Sequence, residues 1–177
     1  MKTKLKQIII LAFIFSLDTL SAIAQTDTEP TDTYKHALGI RAGETAGLTY
    51  KYISPKANAF EAIISAWPYT IGFTGLYERY FSAGVKGLNF YAGGGGHINA
   101  GSQRYHMMNW YVDNQNVYVE SSSYFGAGID GIFGIEYKFK PIPLAISTDI
   151  KPYVEFGNQG NAYFTIDPSI GVKFTFK

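Results

Sequence analysis

Three histidines, His36, His97 and His106, and a run of four glycines at positions 93–96 are the residues whose types and spacing could do chemistry. The glycines sit in YAGGGGHINAG, residues 91–101, and raise the question of a phosphate-cradling loop. A dinucleotide loop needs G-x-G-x-x-G between a strand and a helix. Counted from Gly93 or Gly94, the last position falls on Ile98 or Asn99, so the pattern fails. Residues 96–102 (GHINAGS) have the spacing of a P-loop, but they lack the lysine that reaches the phosphates, and no helical pattern follows. The histidines are scattered without ligand spacing, and the chain has no cysteine. Thiolate metal sites and disulfides are therefore excluded, and neither a metal nor a cofactor is expected.

The second set of candidates is charged. Arg41, Lys51, Lys138, Lys151 and Lys173 stand against Glu61, Glu78, Asp130, Glu136, Asp149, Glu155 and Asp167, and all fall on one parity of alternating segments. In residues 125–139 (FGAGIDGIFGIEYKF), Phe125, Ala127, Ile129, Phe133, Ile135 and Tyr137 alternate with Gly126, Gly128, Asp130, Gly134, Glu136 and Lys138. Successive side chains of a strand point to opposite faces, so one face is apolar and the other small or charged. The same period of two runs through residues 144–156 and 163–176 and, more weakly, through five earlier segments beginning near Leu38, Leu48, Phe60, Ile71 and Leu88. That makes eight strands and an all-β chain.

Two closures fit eight amphipathic strands. A soluble barrel puts the apolar parity inside and binds a ligand there; a membrane barrel turns it outward to lipid and keeps charge inside. The last three strands exceed twelve residues, whereas soluble strands average about 5–6 and membrane-crossing strands need about 9–11. Glycines on the charged parity suit a narrow, crowded interior. Tyr50, Tyr52, Tyr77, Phe81, Tyr137, Phe139, Phe174 and Phe176 lie near the ends of the apolar parity, where interfacial aromatic girdles occur. The reading is an eight-stranded antiparallel up-and-down transmembrane β-barrel. Its inward charges, which a dry interior requires to be paired, form a lumen network. The four glycines become the outer half of strand five. Gly93 and Gly95 continue the inward parity, and Gly94 and Gly96 permit a bend or bulge.

The long stretch at residues 98–123 joins strands five and six, and it carries Met107, Met108, Trp110 and Tyr111. Its plainer reading is a hairpin that extends those strands and packs on itself. Its functional reading is a contact surface for an extracellular protein or for lipid headgroups.

The ends set the compartment. Lys2, Lys4 and Lys6 precede an apolar stretch at residues 8–17, and Ala22-Ile23-Ala24 offers a cleavage pattern, so residues 1–24 read as a secretory signal peptide. The stretch is too short to span a bilayer, which takes about 20 apolar residues. Residues 25–34 read as a flexible periplasmic lead-in and residues 35–177 as the barrel. Without the leader's three lysines and one aspartate, 12 basic and 13 acidic groups remain, a balance that gives no case for nucleic-acid binding.

Residues 128–156 (GIDGIFGIEYKFKPIPLAISTDIKPYVEF) combine a glutamate-tyrosine strand, a proline turn and an Asp149-Ile150-Lys151-Pro152 strand. The chain resembles the small eight-stranded outer-membrane barrels of the OmpA/OmpX-type superfamily, in the form common in the Bacteroidota. The closing Phe174-Thr175-Phe176-Lys177 is similar to the aromatic signal read by the outer-membrane assembly machinery, with a lysine added after the last aromatic. The resemblance implies an outer-membrane location, outer-membrane lipid and that machinery as partners, and a scaffold without catalysis. Some barrels of this kind modify lipid A with serine, histidine and an acid at the outer rim. That alternative would draw on His97 or His106 with Ser102 and Ser121, Ser122 or Ser123, although no His-x-Ser pair shares a strand face.

Overall fold

The computed structural model describes residues 29–67, 69–104, 121–158 and 162–177. Alternation becomes eight strands: β1 His36–Ala42, β2 Gly47–Ile53, β3 Asn58–Trp67, β4 Thr70–Ser82, β5 Leu88–Arg104, β6 Ser121–Lys138, β7 Leu144–Gly157 and β8 Ala162–Phe176. Each pairs antiparallel with the next, and β1 closes on β8 from His36↔Phe176 to Ala42↔Ile170, so the sheet is a closed barrel with no free edge.

The barrel is inverted relative to a soluble protein. Ile71 and Ile129 are 67% and 66% exposed on the outside, in the same rows as exposed Phe73, Phe125, Phe133 and Phe164. Inside, Lys51 and Glu78 are 0% exposed, and Lys151, Glu155 and Asp167 are as deeply buried. The closure with the apolar parity inside is thereby contradicted. Ala37, Ala59, Ile63, Leu76, Tyr80, Tyr91 and Ile132 share the interior with the charges.

Four features depart from the sequence reading. First, β5 and β6 pair on through Arg104↔Ser121, so the connection between them spans residues 105–120 rather than 98–123. Met107, Met108, Trp110 and Tyr111 lie outside the described residues. Second, the glycine run makes no bulge, because β5 keeps an unbroken one-to-one register with both neighbours. Its inward glycines instead admit the preceding strand, β4. A Cβ on Gly93 would meet the Tyr77 carbonyl, and one on Gly95 the Gly75 carbonyl. The ladder breaks elsewhere, between Asp130↔Tyr153 and Phe133↔Ile150. Pro152 has no N–H to give there, and an added Cβ on Gly131 would lie 3.4 Å from the proline ring. Third, β1 and β2 have only seven residues each, short of the about 9–11 on which the membrane-crossing argument rests. Asp167 of β8 accepts the backbone N–H groups of Glu44 (2.6 Å) and Thr45 (3.2 Å), which turns the chain early. Fourth, the lead-in is tied down at its end, as described below.

Candidate functional site: the charged barrel interior

Inward side chains form three clusters along the barrel. At the end where β1 begins, the Lys51 ammonium of β2 lies 2.9 Å from Glu61 of β3 and 2.7 Å from Glu78 of β4. It also donates to the Tyr80 hydroxyl at 3.0 Å and sits 4.2 Å from the centre of the Tyr91 ring. Thr49 donates to Glu61. Lys173 of β8 crosses the interior to Glu61 (3.5 Å) and Glu136 (3.3 Å), and donates to the Ser147 hydroxyl. Tyr80 donates to Glu136 at 3.2 Å.

The chain before β1 enters this cluster. The Tyr34 hydroxyl donates to Glu136 at 2.9 Å. Burial, then the adjacent carboxylate, pushes the Tyr34 pKa well above its ordinary value, so the hydroxyl stays a neutral donor. Thr31 exchanges two hydrogen bonds of 2.9 Å with the Asn89 side chain and accepts from the Gly87 N–H at 3.0 Å. Residues 31–34 are thus held across the mouth of the barrel, in contrast to the flexible segment read from their polar composition.

In the middle cluster, Arg41 of β1 forks between Asp149 of β7 (2.6 Å) and Asp167 of β8 (2.8 Å). Asp149 also accepts from Tyr91 and Ser169, each at 2.9 Å. The planar guanidinium suits such a fork, with one nitrogen for each carboxylate.

Toward the far end, both ring nitrogens of buried His97 face carboxylates, Nδ1 to Asp130 at 2.8 Å and Nε2 to Glu155 at 3.0 Å. Two acceptors around one imidazole suit the doubly protonated ring, which donates from both nitrogens. Lys151 pairs with Asp130 at 2.8 Å, and its ammonium lies 4.4 Å from the centre of the Tyr153 ring. Glu155 further accepts from Asn99 (2.5 Å), Tyr163 (2.9 Å) and Tyr124.

Eleven of the twelve charged residues singled out from the sequence lie in these clusters: Arg41, Lys51, Glu61, Glu78, Asp130, Glu136, Asp149, Lys151, Glu155, Asp167 and Lys173. Lys138 does not. It has the inward parity but is the last residue of β6, and its ammonium caps the carbonyls of Phe139 (2.5 Å) and Ile142 (3.0 Å) in the next turn. Sequence reasoning put Tyr91 on the inward parity but gave neither it, the other neutral donors nor His97 a part in the network. Parity was the available signal for Tyr80, Tyr91 and His97; nothing marked Tyr34, which precedes the first strand.

The arrangement cross-links the barrel. Pairs join β3 to β8, β6 to β8, β5 to β7 and β1 to β7, so side chains meet across the interior as well as along the wall. The three histidines do not assemble a serine-based site among the described residues. His97 is taken by two acids, His36 faces Tyr50 across 2.8 Å at the opposite end, and His106 lies outside the described residues. No group of described residues is placed to hold a metal ion.

No family model matches the sequence, and no curated protein matches it either. Among solved structures, the N-terminal β-barrel domain of OprF from Pseudomonas aeruginosa is similar in fold, with a TM-score of 0.54 and 12% identity over 84% of this chain and 100% of that one. At that identity the likeness concerns the fold alone: a closed eight-stranded antiparallel barrel.

Proposed function

We propose that this protein is an integral outer-membrane β-barrel whose filled, charge-cross-linked interior makes it a structural or interaction scaffold rather than a channel or an enzyme. One observation carries the reading: the apolar parity of all eight strands faces outward, and the charged parity is buried. In water this would expose a continuous apolar belt far larger than a soluble monomer tolerates; in a bilayer it is the outward band of a membrane barrel. The OprF barrel supports the fold part of this reading. The signal-like residues 1–24 support the compartment, and assembly machinery and outer-membrane lipid are the partners that follow.

The scaffold reading rests on the interior. Eight strands enclose a space that side chains can fill, and here paired charges and tyrosines fill it at three levels. The connection at residues 105–120, with Met107, Met108, Trp110 and Tyr111, would then be the contact surface offered outside the membrane. The test is extraction. The protein should stay with membranes after alkaline carbonate, need detergent for release, and migrate faster on a gel unboiled than boiled. Release into buffer without detergent would refute the reading. A lipid A mass spectrum should be the same with and without the protein; a changed spectrum would return the lipid-modifying alternative.

A further inference from the structure

Basic charge outside the interior is segregated to one end. Apart from the leader and the buried Arg41, Lys51, Lys151 and Lys173, eight basic residues remain, and all but Arg104 lie at the end carrying the β2–β3, β4–β5 and β6–β7 turns. Six of these are exposed: Lys35, Lys56, Arg79, Lys86, Lys140 and Lys177. The acids described at that end are Glu29 and Asp32, and Asp32 is engaged by Lys140 at 3.6 Å. Lys86 and Lys140 are both exposed, and they lie in adjacent turns, because the Lys138 N–H donates to the Gly87 carbonyl at 2.8 Å. Two cations in adjacent turns at a surface with few acids form a place for an anion.

The position of Arg79 indicates which anion. It lies on the outward row of β4, between Tyr77 and Phe81, with Asn58 and Ala92 as register neighbours. That row continues into exposed Phe73 and Ile71. The guanidinium therefore emerges from the barrel wall, at the level of an aromatic ring that includes Tyr50, Phe60 and Tyr137. In a bilayer, such aromatic rings mark the headgroup layer. A soluble polymer below the membrane could reach Lys86 and Lys140 in the turns, but the partner available to Arg79 on the wall is a headgroup phosphate.

We propose that this basic rim binds anionic phospholipid headgroups of the leaflet around it, with Arg79 as the contact on the wall and the Lys86–Lys140 pair as a second phosphate contact. The inference rests on the membrane reading above. The aromatic ring sets the depth, and the cations then select lipid by charge, as basic clusters at membrane surfaces do.

The test uses the folded protein in detergent, supplied with equal phosphatidylglycerol and phosphatidylethanolamine and analysed by native mass spectrometry. The wild type should retain phosphatidylglycerol several-fold over phosphatidylethanolamine. The Arg79→Gln/Lys86→Gln/Lys140→Gln variant should lose most of that preference while keeping the wild-type difference between boiled and unboiled migration. Equal retention of the two lipids by the wild type, or an undiminished preference in the variant, would overturn the inference. So would wild type that shows no lipid preference but sediments with peptidoglycan through Lys86 and Lys140. A wild type without heat-modifiable migration fails at the earlier step, the membrane reading, and takes the inference with it.

Discussion

Lys51 and Glu78 show how unequal the members of a buried network can be. Lys51 serves two carboxylates and a tyrosine, so Lys51→Met leaves Glu61 and Glu78 buried without their shared cation. Removing one partner of a buried pair costs about 3–5 kcal/mol, which a shift in the urea midpoint of refolded protein should show. Glu78 has one oxygen on Lys51 and another with no hydrogen-bond partner. Glu78→Gln should therefore cost no more than about 1 kcal/mol in the same assay. Equal losses in the two variants would contradict this ranking. For Asp130 and Lys151, paired at 2.8 Å, the double leucine substitution should cost less than the two single ones added together. Additivity within about 0.5 kcal/mol would show that the pair does not interact. The inward position of these groups was legible from parity. Their pairing was not, because Lys173 reaches Glu61 across 112 positions of sequence through a closure that no local pattern encodes. Lys138 shows where parity ends: at the last residue of a strand, turn carbonyls outcompete the interior.

Among the strands, glycine positions separate two functions. An added Cβ on Gly128 would run into the Val154 carbonyl and the His97 ring, while one on Gly75 would meet nothing within 4 Å. Gly128→Val should disrupt the far-end cluster and slow or prevent the appearance of the heat-modifiable folded form. Gly75→Ala should change stability by less than about 0.5 kcal/mol. Similar folding of the two variants would mean that Gly128 does not make room for His97. The sequence showed that the glycine run belongs to a strand and gave its parity. It did not show that the run keeps perfect register while the ladder opens at Pro152, since a bulge and a close strand approach both call for glycine. The first strand's short length was legible in an alternation that ends near Ala42, but its cause was hidden, because the early turn is made by Asp167 from the last strand. Residues 31–34 could be recognised as polar but not as a clasp. Deleting residues 29–34 should lower the urea midpoint by removing the Tyr34 bond to Glu136 and the Thr31 bonds to Asn89 and Gly87; an unchanged midpoint would show that the clasp adds nothing.

Across the described residues of the molecule, most charge is sorted into two places. The interior holds seven acids against four lysine and arginine cations and His97, and the exposed rim at one end is basic. Between them lies an outward belt of aliphatic and aromatic side chains, and this order is what an outer-membrane scaffold requires. The alternating spin-label accessibility of one strand tests it most directly. The chain has no cysteine, so single cysteines can be placed at Ala127, Ile129, Asp130, Ile132, Phe133 and Ile135 and spin-labelled in refolded protein in lipid bilayers. The account predicts a period of two in collisions with oxygen, which dissolves in lipid, high at Ala127, Ile129, Phe133 and Ile135 and low at Asp130 and Ile132. A water-soluble relaxant reaching the first set as readily as oxygen does would contradict it.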